Sequence, residues 1–194
     1  MGDLKDKIIA ELKNTKRDGI EELIAEMEKG GFFTAPCSGK VAYHLAEPEG
    51  LMKHSWNVLT YMRKLNEAWN RMIPDDSLTI VALLHDLGKM GDHGKPNYVE
   101  NILKTGQSKA EPYKTNKDLI YIPHEVRSVM IAERYIYLTE EEETAMLWHN
   151  GLYSASFRND IPGKETVIYL ALHSTDMYVS RFVEVSDGNK EENE

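Results

Sequence analysis

Apolar residues recur along most of this chain at the three- and four-residue spacing of one helical face, and glycines, prolines and capping residues fill the gaps between runs. The pattern predicts an all-α protein. Two N-terminal helices fall over about 4–14 and 18–29, with Asp18 as an N-cap and Gly30-Gly31 as a stop. The longest run, Leu51 to Met72, brings Leu51, Val58, Leu59, Met62, Leu65, Trp69 and Met72 to one face, and His54 lies on that face one turn before Val58. After Pro74-Asp75-Asp76, the run Ser77 to Gly88 is apolar nearly all round, which predicts a central helix. A further helix runs from His124 to about Tyr137-Leu138. Thr139-Glu140-Glu141-Glu142 is a capping box for the next, which ends near Leu147-Trp148-His149-Asn150-Gly151. The last spans about Lys164 to Val185. Trp56, Trp69 and Trp148 read as core.

Between Lys89 and Pro123 the periodicity stops. Gly, Pro, Asn, Lys and Tyr dominate there, so a long irregular loop is expected, a functional or mobile lid. Residues 1–185 then form one domain, with the N-terminal helices in 1–30 and the loop at 89–123, and the polar tail 186–194 is expected to be disordered.

The whole chain of 194 residues has a formal charge of -9, which disfavours tracking along nucleic acid, where lysine and arginine must neutralise phosphates. The loop departs from that balance. Lys89, Lys95, Lys104, Lys109, Lys114 and Lys117 face only Asp92, Glu100, Glu111 and Asp118, a local surplus of two positive charges. A small anionic substrate suits this better than a polymer, although charge runs are also ordinary solvated faces. No apolar stretch is long enough to cross a membrane and the N-terminus has no secretion signal, so a soluble cytoplasmic protein is expected. The single cysteine, Cys37, excludes an internal disulfide and reads as a small buried residue rather than a nucleophile.

The central helix ends in Leu83-Leu84-His85-Asp86-Leu87-Gly88-Lys89. An adjacent His and Asp in an apolar segment would leave a buried charge without a partner unless a cation receives them. A metal ion is the simplest receiver. The ordered series His54, His85-Asp86, His124, His149 and Asp176 offers imidazole and carboxylate donors, which suit Mn, Fe, Ni, Co or Zn better than Mg or Ca.

In order and spacing, His54, His85-Asp86 and Asp176 resemble the signature of the HD-domain superfamily of metal-dependent phosphohydrolases. The likeness extends from about Gly30 to Glu184, through Phe33-Thr34-Ala35-Pro36 to His44, Glu49-Gly50-Leu51-Met52-Lys53-His54-Ser55 and Leu172-His173-Ser174-Thr175-Asp176. It implies an HD-domain helical bundle in which His54, His85, Asp86 and Asp176 bind one divalent metal. By the same resemblance Asp86 bridges to a second ion, which His124 and His149 complete; Asn150 stands where some bimetal relatives carry another histidine. The plainer reading of His124 and His149 is a helix-end histidine meeting a cap or dipole. The implied reaction is hydrolysis of a phosphate ester by metal-activated water, with Asp86 and Lys89 as the catalytic pair. The expected substrate is a nucleotide-like small molecule, with phosphodiester or 3′-end exonuclease action as an alternative. Some HD-fold proteins use the same ligands for diiron oxygenase chemistry. Lys89 is expected to meet the phosphate, or else to be a solvated helix-end lysine, and His44, Lys53 and Lys95 are further candidate substrate contacts. His173 is expected to support the ligands or to pack, and His93 is the least constrained histidine.

Overall fold

The structure is a computed structural model describing residues 2–154 and 158–185. Among the described residues there are seven α-helices, with longer connections over 31–49 and 149–166 and a polar insert between the fourth and fifth. The helices are α1 (Gly2–Asn14), α2 (Ile20–Gly30), α3 (Gly50–Ala68), α4 (Asp75–Leu84), α5 (His124–Ala132), α6 (Glu140–Trp148) and α7 (Val167–Tyr178). A 3-10 turn over Leu87–Met90 follows α4, and a π turn over Val179–Val183 extends α7. No helix among the described residues is long and apolar enough to cross a membrane.

As its all-round apolarity required, α4 is central. Every residue from Leu78 to Leu84 is buried, and the helix packs against α1, α3, α6 and α7. That setting carries His85 and Asp86 into the interior. Trp56, Trp69 and Trp148 pack partly buried against the same core.

Several helix ends differ from the expected ones, because side-chain caps, turns or a close tertiary approach outweigh the apolar periodicity. Asp18 does not cap α2, which starts at Ile20 after Gly19 at φ 83° without a side-chain cap. There the backbone passes so close to Tyr135 that a Cβ on Gly19 would lie 1.8 Å from its carbonyl oxygen, so the position needs glycine. Helix α3 stops at Ala68 rather than Met72. Asn70 and Arg71 turn left-handed, and the Asn66 side chain binds both the N–H and the carbonyl of Ile73, which leaves Met72 63% exposed. Helix α4 gives way to the 3-10 turn before Gly88, whose N–H donates to Ser128 Oγ of α5 at 2.8 Å. Helix α5 ends at Ala132, where Glu133 Oε1 accepts the Leu138 N–H. Helix α7 starts at Val167, three residues later than the expected Lys164, because the Thr166 side chain caps it by accepting the Tyr169 N–H. By contrast, Gly31 closes α2 in the left-handed conformation, and Thr139 with Glu142 forms the capping box of α6.

Residues 91–115 are more regular than expected. They hold three antiparallel pairs of short strands: β1 (Gly91–Asp92) with β2 (Lys95–Pro96), β3 (Tyr98–Glu100) with β6 (Tyr113–Thr115), and β4 (Ile102–Leu103) with β5 (Gly106–Gln107) nested inside the second pair. Strands of two or three mostly polar residues are too short to show an alternating pattern. The root of this insert is fixed. Asp92 is buried and receives both Arg127 and Arg134 of the α5 region, Asn116 Nδ2 donates to the Pro96 carbonyl, and Arg127 Nη2 donates to the Ile120 carbonyl. The tail 186–194 lies outside the described residues.

Candidate metal centre

Five helices bring the ligand-type residues to one point. His54 comes from α3, His85 and Asp86 from the end of α4, His124 opens α5, His149 closes α6 and Asp176 lies on α7. Each imidazole is held in the same way. His85 Nδ1 donates to the Ala82 carbonyl (3.0 Å) and His149 Nδ1 to the Met146 carbonyl (2.7 Å). His54 Nδ1 faces Glu184 Oε2 (2.9 Å), and His124 Nδ1 faces Glu125 Oε2 (3.3 Å). All four partners are acceptors, so each Nδ1 carries a proton and each Nε2 of a neutral ring presents a lone pair.

Those Nε2 atoms converge on Asp86. His54 Nε2 lies 3.2 Å from His85 Nε2 and 3.2 Å from Asp176 Oδ1, and both rings stand 3.5 Å from Asp86 Oδ2. His124 and His149 approach the other oxygen, Oδ1, at 3.2 and 3.5 Å. One carboxylate thus separates two pairs of imidazoles. Asp86 Oδ1 is buried and accepts no well-directed hydrogen bond despite two nitrogens so close, because lone pairs rather than protons face it. Lone pairs converging on an anion repel, and the arrangement is favourable only with positive charge among them.

The charges agree. Asp86 pairs with the Lys89 ammonium, whose Nζ lies 2.6 Å from Oδ2, while Asp176 and Glu184 meet His54. Burial would raise the Asp86 carboxyl, but Lys89, His85 and the other two imidazoles hold it well below the usual carboxylate range. Asp176 is likewise depressed against its burial by His54. His54 is raised in spite of complete burial by Cys37, Asp176 and Glu184, and His149 is raised in spite of its burial by Asp86. Burial pushes His85 down to about 3. Nitrogen and carboxylate donors with such tautomers fit a divalent transition ion.

The remaining candidates separate. Lys89 is no solvated lysine: its side chain is 13% exposed and its ammonium also lies 3.8 Å from Cys37 Sγ. His44 stands beside His54, with ring centroids 4.9 Å apart, and its Nε2 is 3.3 Å from Cys37 Sγ; burial pushes it down to about 4. The structure does not bring Lys53 or Lys95 to the cluster. Lys53 pairs with Glu47 at 2.6 Å, and Lys95 donates to the Asp118 carbonyl at 2.8 Å. His173 donates to the His149 carbonyl (2.7 Å) and so supports the backbone behind a ligand. His93 is exposed beside Asp92. Asn150 places Nδ2 3.4 Å from His124 Nε2.

Sequence reasoning missed two residues. Cys37 is fully buried against the cluster, with its thiol pushed up to about 11 by burial, and Glu184 holds His54. Neither has a periodic or motif signal. The open side of the centre is marked by His124, 29% exposed, and Asp176, 19% exposed. His124 also lines a cavity of about 140 Å³ with Asn97, Tyr98, Thr115 and Tyr121 of the insert. A larger cleft of about 380 Å³, between Met72, Thr139 and Ile168, contains no cluster residue.

The HD domain family model matches residues 51–187, a stretch that contains every imidazole and carboxylate converging on Asp86. The chain belongs to the HD domain family. HD domains are generally metal-dependent phosphohydrolases, and the His/Asp cluster of this HD domain is compatible with their divalent metal site. No curated protein and no solved structure gives a significant match. Cys37 and His44 precede the matched stretch.

Proposed function

We propose that this HD-domain protein hydrolyses a phosphate ester of a nucleotide-like small molecule with two divalent transition metal ions. His54, His85, Asp86 and Asp176 would hold one ion, and His124 and His149, with the second oxygen of Asp86, the other. The observation that carries this reading is the division of four Nε2 atoms between the two oxygens of one buried carboxylate that has no hydrogen bond at Oδ1. The ions supply Lewis acidity toward phosphoryl oxygens and a water acidic enough to react near neutral pH.

The chain's own groups do the rest. Asp86 orients both halves of the site. Lys89 neutralises Asp86 and stands where charge builds on an incoming phosphoryl group, a task that suits a compact ammonium. A substrate reaches the centre from the side of His124 and Asp176, where Asn97, Tyr98 and Tyr121 stand ready to meet whatever is esterified to the phosphate. Cys37 is not assigned a nucleophilic role, since its thiol is fully buried and burial pushes it up to about 11.

The test is anaerobic phosphate release from nucleotides, cyclic nucleotides and short oligonucleotides with Mn, Co or Ni. Turnover without oxygen is expected, with Lys89→Met at least about 100-fold slower in kcat, on the scale of losing one charge-stabilising group. Activity only with iron and oxygen would refute the proposal.

A further inference from the structure

Asp176 faces His54 from α7. In an uninterrupted α-helix the residue seven positions later, Val183, would return to that face, because seven residues make almost two turns. The π turn over Val179–Val183 adds one residue to the register. The Glu184 N–H bonds to the Val179 carbonyl, five residues earlier, at 3.0 Å, so Glu184 rather than Val183 arrives on the ligand side.

Its carboxylate is almost wholly hidden, with 2% of the side chain exposed, and both oxygens are used on α3. Oε2 meets His54 Nδ1 at 2.9 Å and Oε1 accepts from Asn57 Nδ2 at 2.9 Å. His54 and Asn57 are three residues apart and share a helix face. A buried carboxylate is costly unless paired, and here its pairing fixes the tautomer and ring plane of a metal-facing imidazole.

We infer that Glu184 is a positioning residue for the first metal: through His54 Nδ1 it aims Nε2 at the ion and makes that nitrogen a stronger donor. The π turn is the backbone device that delivers it. The inference rests on the metal-centre reading, and the experiment separates the two.

Metal-free wild type, Glu184→Gln, Glu184→Ala and Asn57→Ala are titrated with Co²⁺ by calorimetry and visible absorption, with circular dichroism as the check on folding. In Glu184→Gln the amide oxygen still accepts from Nδ1–H but the charge is gone, so the first ion should bind about 10-fold more weakly. In Glu184→Ala orientation is lost as well; a loss of about 100-fold and an altered cobalt spectrum are expected, with the His124/His149 ion unchanged. Asn57→Ala, which leaves the His54 contact in place, should fall between wild type and Glu184→Ala. If Glu184→Ala fails to fold, the near-isosteric Gln variant decides. Unchanged cobalt affinity in Gln and Ala, or equal weakening of both ions, overturns the role of Glu184. A wild type that binds no cobalt overturns the metal-centre reading instead.

Discussion

Replacing Asp86 with alanine removes the carboxylate on which four imidazoles converge, and it also strands a cation. Lys89 Nζ, 2.6 Å from Asp86 Oδ2, has Cys37 Sγ at 3.8 Å as its other close contact, a thiol that burial keeps protonated. Removing one partner of a buried ion pair costs about 3–5 kcal/mol. The 13% exposure of the Lys89 side chain puts this case near the lower end, about 3 kcal/mol. That is a large share of the roughly 5–15 kcal/mol that holds a domain together. Asp86→Ala is therefore expected to lose stability, metal and activity together, a result that by itself would not separate folding from ligation. The double variant Asp86→Ala/Lys89→Met removes both charges and should recover most of the stability. Metal binding should remain lost. Losing a supporting partner behind a ligand weakens a metal about 10- to 100-fold, so losing the ligand itself should exceed about 100-fold. The assays are urea unfolding and metal content after dialysis against micromolar Mn²⁺. Full metal content in the double variant would refute the ligand assignment, and an equally unstable double variant would refute the stranded-cation argument.

Two further outcomes follow from the geometry. His124→Ala or His149→Ala should lower bound metal from about two ions per chain toward one and cut turnover by orders of magnitude, with folding retained; one ion in the wild type, or unchanged stoichiometry in both variants, would point to a mononuclear site. Glu142, fully buried, accepts Arg17 Nη1 at 3.1 Å and Nη2 at 2.5 Å, and its carboxyl is held low against burial by Arg17, Ser77 and the Thr139 N–H. A depressed carboxyl stabilises the fold above its unfolded pKa of about 4.3, and that contribution disappears as pH falls through the folded value. Glu142→Gln should therefore cost about 3 kcal/mol near neutral pH, since Arg17 keeps Asp76, and the gap to wild type should close in acid. A gap independent of pH, measured by urea unfolding, would refute the charge argument.

The sequence alone determined the all-helical class, the central place of α4 and the need of His85-Asp86 for a cationic partner, while the rest of the ligand series came from a family resemblance. The first three are local quantities: the periodicity of α3, the apolar surface of α4 and the adjacency of His85 and Asp86 are visible residue by residue, and an interior His-Asp pair carries its own demand for a cation. Tertiary structure decided everything that depends on distance between elements. Met72 left the core because the Asn66 side chain closes a turn over Ile73. Lys53 and Lys95, whose charge suggested a phosphate, are drawn to Glu47 and to the Asp118 carbonyl, while Lys89 is folded onto Asp86. Glu184 is the strongest case. Helical periodicity assigns its face to Val183, and only the extra residue of a π turn, stabilised by Asn57 and His54 some 130 positions earlier, turns a carboxylate near the end of the described chain inward. A sequence pattern records which face a residue occupies if its helix stays regular; where packing changes the helix itself, the face is set by the partners across it.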